Sequence, residues 1–246
     1  MNRTILGAVT ATGAIALQFF AVSASAAVVQ YCGPNLCYEY DDAQAATVFY
    51  GQPGFAGDDA YFLPNIFEAR SADGVGIHSG TNTDTADATW VFSRIWSINP
   101  NNEIASIYAY EEGDYEINYA AGTATGDLYL AAFGLNAVEA SVVGTDSVAF
   151  AGDSGGLQNW DMSTTITPSA LLTQVANNLR LTIQNTLTAF TSDTTTGSEL
   201  AYIEKKLILE INTVVPVGTE VPVPAAVWLF GSALGMLTVA RRRRAA

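Results

Sequence analysis

The sequence contains few residues that bind transition metals and little positive charge. Its 246 residues include one histidine, two cysteines and three methionines. A structural zinc site takes its ligands mainly from several cysteines and histidines, so this composition argues against one. Lys and Arg number 10 against 24 Asp and Glu, which gives a formal net charge of −14. Because such a chain repels nucleic acid and anionic lipid, we expect no nucleic-acid partner.

The positive charge is also confined largely to the two ends. Half of the basic residues lie there: Arg3, Arg241, Arg242, Arg243 and Arg244. All the acidic residues lie between Glu39 and Glu220. This acidic central segment favours solubility outside a cell, and its carboxylates would attract divalent cations, especially calcium. We therefore predict no cofactor, with calcium as the alternative.

The first 26 residues have the pattern of a secretory signal peptide. Arg3 precedes an uncharged apolar run over 5–22, and Ala24 and Ala26 supply the small residues that signal peptidase reads. The pattern predicts export through the Sec translocon and cleavage after Ala26 or one residue later. An uncleaved N-terminal membrane helix is the alternative.

The last 26 residues consist of three successive parts. The motif Val221, Pro222, Val223 and Pro224 precedes an uncharged run over 225–240, and the four arginines follow. Sixteen helical residues reach roughly 24 Å against a hydrocarbon core of about 30 Å, so the run predicts a transmembrane helix. Arginines stay cytoplasmic by the positive-inside rule, which places the acidic segment on the opposite side of the membrane.

This tail resembles the PEP-CTERM sorting signal of Gram-negative bacteria. The resemblance rests on 221–232, reading VPVPAAVWLFGS, and on the arginine cluster, with Pro222-Val223-Pro224 in place of the family's Pro-Glu-Pro core. It implies recognition by an exosortase-like transpeptidase and cleavage near the proline motif. The resemblance further implies a passage through the inner membrane to the cell surface or the extracellular matrix. An ordinary membrane anchor that is never cut is the alternative.

The segment 27–213 predicts a single all-β domain, followed by a spacer over 214–220. Its predicted strands are 47–50, 60–63, 67–71, 88–98, 104–111, 115–119, 127–133, 138–143, 179–189 and 201–212. We expect a hairpin-like turn at 112–114 and one helix at 169–177. Many short strands with Gly-rich turns favour an antiparallel β-sandwich of Greek-key or jelly-roll type.

Three of the predicted strands carry informative side-chain patterns. In 179–189, alternation places one set of residues on a single face: Leu179, Leu181, Ile183, Asn185, Leu187 and Ala189. In 88–98, alternation places Trp90, Phe92, Arg94 and Trp96 on one face. In 201–212, Lys205 interrupts an otherwise apolar face, which indicates a strand edge or a bulge at that point.

Cys32 and Cys37 lie just after the predicted signal cleavage site. Two cysteines at short spacing in an oxidising compartment predict one local disulfide. The turn-forming residues Gly33, Pro34 and Asn35 between them fit a hairpin. Asp58 and Asp59 lie in a later loop and are weak candidates for metal ligands, as is the pair at 41–42, because neither pair has the spacing of a known calcium loop.

The stretch 152–156, GDSGG, resembles the nucleophile loop of chymotrypsin-like serine proteases. That chemistry needs a histidine base for Ser154, and the one histidine, His78, lies in an unrelated sequence context and too close along the chain. Glycoside hydrolysis needs two carboxylates across a cleft, and no spacing singles out a pair. Its candidates by type are Glu103, Glu111, Glu112, Asp114, Glu116 and Glu139. We therefore predict no catalytic residues and no enzyme activity.

Aromatic side chains leave one further alternative. Trp90, Trp96 and Trp160 would form a carbohydrate-stacking platform if they lay exposed on a sandwich face, and Trp160 is the member we expect to be exposed. Our first hypothesis is an exported structural protein of the cell surface or matrix that associates with exopolysaccharide. A secreted carbohydrate-binding module is the second, and a secreted hydrolase is the third.

Overall fold

A computed structural model describes residues 27–64, 66–135, 141–168, 177–192 and 198–214. No helix in these ranges is long and apolar enough to cross a bilayer. The predicted signal peptide, the spacer from 215, the proline motif, the span 225–240 and the arginine cluster lie outside the described residues, as does the predicted helix up to 176.

Antiparallel strands make up most of the described chain. In chain order the strands are β1 (Val28–Cys32), β2 (Leu36–Asp41), β3 (Gly54–Ala56), β4 (Asp59–Phe62), β5 (Glu68–Ala72), β6 (Val75–Gly76), β7 (Thr83–Ser97), β8 (Glu103–Ile117), β9 (Thr123–Gly134), β10 (Ser141–Ala151), β11 (Gln158–Ile166), β12 (Asn178–Phe190), β13 (Leu200–Glu204) and β14 (Lys206–Val214). A short helix, α1 (Thr47–Tyr50), lies between β2 and β3. The prediction of an all-β chain is confirmed.

The strands form two sheets. The first has the order β1-β2-β7-β12-β9-β10. In the second, the long strand β8 pairs along one edge with β11, and along the other with β14 and then β13. β4 and β3 extend the sheet beyond β14, and β5 and β6 extend it beyond β13. One apolar core draws side chains from both sheets, which makes the domain a β-sandwich.

Strand β12 shows how alternating side chains pack one face of a strand into the core between the two sheets. Leu181, Ile183 and Leu187 are fully buried together with Asn185, and the alternate residues at 182, 184 and 186 point away from the core. The alternation predicted for this strand is therefore confirmed. Each fully buried aliphatic side chain of this size contributes about 1.5–3 kcal/mol relative to an exposed one.

Strand β7 departs from simple alternation at a bulge. Leu181 pairs with Phe92, but Leu179 pairs with Ile95, so one extra residue of β7 is accommodated between them. The bulge reverses the faces, so that Ile95 is buried and Arg94 lies half-buried with its guanidinium 4.5 Å from the Trp96 ring centre. The single face predicted for Trp90, Phe92, Arg94 and Trp96 is correct only up to the bulge.

The predicted turn at 112–114 is wrong, because β8 continues through it. A Cβ atom on Gly113 would lie 1.8 Å from the Glu204 carbonyl oxygen, so the glycine serves close approach of two backbones instead of a turn. Opposite it, Lys205 separates β13 from β14. Ile203 pairs with Tyr115 and Lys206 pairs with Glu112, so the register against β8 is unchanged and the irregularity at Lys205 is a break between two strands, not a bulge.

The segment 47–50 forms α1 and not the predicted strand. Its residues are β-branched or aromatic, which favours a strand locally. However, the Tyr50 N–H donates to the Ala46 carbonyl at 2.9 Å, and the Tyr50 side chain is fully buried in the core. Tertiary burial of Tyr50 thus accompanies the helical turn.

Candidate functional site

The Cys32–Cys37 disulfide is present and closes the β1–β2 hairpin. Asp58 fastens the turn of this hairpin from a neighbouring loop. Its Oδ1 accepts the backbone N–H groups of Asn35 at 2.9 Å and Leu36 at 3.0 Å, and its Oδ2 accepts the Asn35 side-chain amide at 2.7 Å. The Asp58 carboxylate therefore stabilises the hairpin turn by accepting its hydrogen bonds.

The neighbouring Asp59 has a different environment. Burial raises the pKa of its carboxyl, and the nearby negative charge of Glu210 raises it further. The described part of the chain contains no group of three or more His, Cys, Asp or Glu side chains placed to hold a metal ion. A calcium site at Asp58 and Asp59 stays a prediction without a third protein ligand among the described residues.

His78 and Ser154 each have their own local partners. His78 Nδ1 lies 2.8 Å from Asp84 Oδ2, and Asp84 also accepts the backbone N–H groups of Arg70 and His78. Burial opposes the charged form of Asp84, but these hydrogen bonds outweigh it and lower the pKa of the carboxyl. The Ser154 hydroxyl donates to the Gly156 carbonyl at 2.6 Å and accepts the backbone N–H of Ile117 at 3.0 Å. Among the described residues no hydrogen bond joins His78 to Ser154.

A surface groove of about 410 Å³ lies over the junction between β13 and β14. It is lined by Pro64, Tyr110, Glu112, Gly113, Asp114, Asn159, Trp160, Asp161, Glu204, Lys205 and Lys206. Glu112 and Asp114 lie on one continuous strand, an arrangement that the predicted turn at 112–114 had made doubtful. The groove combines several carboxylates with an amide and a phenol, which are hydrogen-bonding groups that suit a polar ligand.

The expectation that Trp160 is exposed is wrong. Its side chain is 5% exposed, and its indole N–H donates to the carbonyls of Glu204 at 3.1 Å and Asp114 at 3.3 Å. Trp160 is therefore a core residue that covers the break between β13 and β14 at Lys205. Trp90 is fully buried, so these two tryptophans do not form an exposed platform.

The most unusual polar group of the described chain lies at the centre of the sandwich. Lys205 Nζ is 2.8 Å from Glu111 Oε1, and both side chains are 0% exposed. The same Glu111 Oε1 accepts the side-chain amide of Asn185 at 2.5 Å. Tyr50, also fully buried, donates its hydroxyl to Asn185 Oδ1. We call these four residues the central cluster.

Burial determines the electrostatics of the central cluster. Desolvation lowers the pKa of Lys205 to about 8, although the Glu111 carboxylate opposes that shift. Desolvation raises the pKa of Glu111, although Lys205 and Asn185 oppose it. Both shifts reduce the difference between the pKa of the Lys205 amine and the pKa of the Glu111 carboxyl. A proton can therefore move from Lys205 to Glu111 at a lower free-energy cost than in water.

Sequence reasoning identified these residues only separately. The pattern around Lys205 indicates a strand edge or a bulge, Asn185 lies on the mainly apolar face of its strand, and Glu111 is one of several candidate acids. The available signal for a buried polar cluster is that Asn185 and Lys205 each interrupt the apolar face of a predicted strand. Their meeting depends on sequence separations of 74 residues for Asn185 and 94 for Lys205 from Glu111.

Comparison with known proteins adds little. No protein-family model matches the sequence, and no curated protein matches it. Two solved structures of infectious bursal disease virus, of the Gt and Gx strains, align with 73% and 74% of this chain at 9% and 10% identity. Their TM-scores are 0.26 and 0.28, and this chain spans 43% and 39% of those chains. Overlap at this level is too low to indicate a shared fold.

Proposed function

We propose that the protein is an exported structural protein of the cell surface or extracellular matrix, with no catalytic activity. The carrying observation is the pair of uncharged apolar ends, with Arg3 before the first and Arg241–Arg244 after the second. By the positive-inside rule this arrangement leaves the acidic domain outside the inner membrane. The partners are the Sec translocon, signal peptidase and an exosortase-like transpeptidase that reads Pro222 and Pro224, with exopolysaccharide as the matrix component.

Features of the folded domain support export. A disulfide between Cys32 and Cys37 persists in an oxidising compartment and is rare in a reducing one. The excess of acidic residues keeps the domain soluble at a crowded surface. In this proposal the sandwich has Greek-key or jelly-roll connectivity, and 225–240 is the transmembrane helix.

A reporter that is active only outside the cytoplasm tests the topology. The exposed turn at 120–121, between β8 and β9, accepts an insertion without interrupting a strand. We expect activity from this fusion in a Gram-negative host. A fusion protein that is produced but inactive would refute the proposal.

Intact mass of the protein from membranes and from the medium tests the processing. We expect loss of the first 26 residues and, in a host with an exosortase, loss of the tail near Pro224. Pro222→Ala together with Pro224→Ala should retain the tail, while Pro216→Ala in the spacer is the matched control. If the tail is retained in both variants and in the native chain, the tail is an ordinary membrane anchor and the proposed exosortase is contradicted.

The surface groove supports a second candidate function, binding of a carbohydrate. Sugars are recognised by planar carboxylate and amide groups that accept and donate in pairs, and Glu112, Asp161 and Asn159 supply such groups here. A glycan array compares the native chain with Glu112→Gln/Asp161→Asn, and with Glu103→Gln outside the groove as control. Selective signal lost only in the double variant supports this function, and flat signal across all glycans removes it.

A further inference from the structure

We propose that Lys205 and Asn185 become joined by an isopeptide bond between the amine Nζ and the side-chain carbon Cγ, with Glu111 as the proton carrier. The bond would link β12 of the first sheet to the junction of β13 and β14 in the second. It is a self-catalysed modification, independent of how the chain is exported.

The contacts of Glu111 carry the proposal. One oxygen, Oε1, touches both the nucleophilic nitrogen of Lys205 at 2.8 Å and the leaving nitrogen of Asn185 at 2.5 Å. A base shared in this way can take a proton from the amine and deliver it to the departing group. Its second oxygen, Oε2, is buried and has no hydrogen-bond partner among the described residues. The negative charge of the carboxylate is therefore only partly compensated, which favours uptake of a proton by Glu111.

The other end of the amide is also prepared for attack. Tyr50 donates its hydroxyl to Asn185 Oδ1, the oxygen on which negative charge develops when an amine adds to the carbonyl carbon. Asn185 Nδ2 has a further contact of 3.3 Å with the Asp127 carbonyl, which holds the amide in one orientation. The amide is therefore fixed and polarised before reaction, which reduces the entropic cost of bringing the groups together.

The surroundings make Lys205 a nucleophile. Its Nζ lies 4.5 Å from the ring centre of Phe67 and 5.0 Å from that of Tyr50, and the side chain has no exposure. In such a site the amine loses its proton more readily than in water, consistent with its pKa of about 8. The same exclusion of water protects the amide from hydrolysis.

The reaction balances with no further reactant. Glu111 first takes a proton from the Lys205 ammonium, and the free amine adds to Asn185 Cγ. Glu111 then gives its proton to Nδ2 and regains one from Nζ. The Cγ–Nδ2 bond breaks, ammonia leaves, and an amide between Nζ and Cγ remains. Each atom is accounted for, and no oxidation or reduction takes place.

Peptide mapping of the full chain tests the bond. Arg180 and Lys206 are the trypsin sites that bracket both residues, and a bonded Lys205 is not cleaved. We expect one fragment, 181–206, lighter by one ammonia, about 17 Da, than its sequence mass. Digestion after Glu199 and Glu204 then leaves two peptides still joined. A fragment 181–205 of full mass, with Lys205 cleaved, would overturn the proposal.

Variants separate this bond from other losses of ammonia. Lys205→Arg removes the nucleophile and should restore full mass, whereas loss of ammonia by Asn185 alone would persist. Glu111→Gln should also restore full mass, and Lys206→Arg, next to the reacting lysine, should leave the bond in place.

Asn185→Asp keeps the test decisive if Glu111→Gln fails to fold. The aspartate would lose water in place of ammonia, so its product and the native product must have the same mass. A different mass for the two products, or an unreacted Asn185→Asp chain beside a reacted native chain, contradicts the mechanism.

Discussion

The hairpin at Cys32–Cys37 and the central cluster both stabilise this sandwich, but they join residues at very different separations in the sequence. The disulfide joins residues separated by five positions within one hairpin. The central cluster joins side chains from β8, β12 and the β13–β14 junction, across both sheets. The first stabilises a local turn, whereas the second holds the two layers in register.

The two regions also differ in what they need from their surroundings. The hairpin keeps its polar atoms near the surface, where water and Asp58 satisfy them. The central cluster holds charge where water is excluded, so each member depends on the others. We therefore expect the central cluster to be the more sensitive of the two to substitution.

The largest effect is expected from Lys205→Met. This change leaves the Glu111 carboxylate buried without its cation, which costs about 3–5 kcal/mol for a buried pair, and it also prevents the proposed bond. Urea unfolding measures the loss. Lys206→Met, at an exposed neighbouring position, should change stability by less than about 0.5 kcal/mol. Equal effects of the two changes would contradict the importance of the central cluster.

Alkaline pH should weaken both regions through one buried tyrosine in each. Burial, with nearby acids adding to it, raises the pKa values of Tyr38 on β2 of the hairpin and Tyr50 in the central cluster. The folded state then keeps protons that the unfolded state releases above about pH 10, so stability is complete below that pH and falls above it. Each fully buried tyrosine contributes a slope of about 1.4 kcal/mol per pH unit.

Urea unfolding at pH 11 and pH 12 measures this slope. We expect Tyr50→Phe to be less sensitive to this rise in pH than the native chain. Tyr61→Phe, at a half-buried position on β4, is the control. An unchanged slope in Tyr50→Phe would show that the central cluster does not contribute to the alkaline sensitivity.

Reduction of the disulfide should have an intermediate effect. A loop of this length removes little entropy from the unfolded chain, which corresponds to about 2 kcal/mol. Thermal unfolding of Cys32→Ser/Cys37→Ser against the native chain checks this value. A loss as large as that of Lys205→Met would mean that the hairpin, and not the central cluster, dominates stability.

The smallest effect is expected at Asp58. Asp58→Ala removes the acceptor for two backbone N–H groups at the surface, at a cost of about 1 kcal/mol. Calcium titration of the native chain should leave its thermal midpoint unchanged, since Asp58 is already engaged with Asn35 and Leu36. If calcium raises the thermal midpoint of the native chain but not that of Asp58→Ala, this loop binds calcium.

Local chemistry explains which elements could be predicted. Alternation in β12 and the spacing of the two cysteines are properties of neighbouring residues, and both predictions are confirmed. Predictions at Gly113, Trp160 and the 47–50 segment are wrong for a common reason. Each depends on a distant partner: the Glu204 carbonyl for Gly113 and Trp160, and the core around the Tyr50 ring for the helix.

The amino-acid sequence by itself determined the all-β class, the local disulfide and the charge pattern of the two ends, because these depend on periodicity, spacing and composition. Only the tertiary structure decided that Lys205, Glu111 and Asn185 share one water-free site. The physical reason is that strand pairing and sheet packing bring together residues far apart in the chain, and no local pattern records which polar side chains will meet.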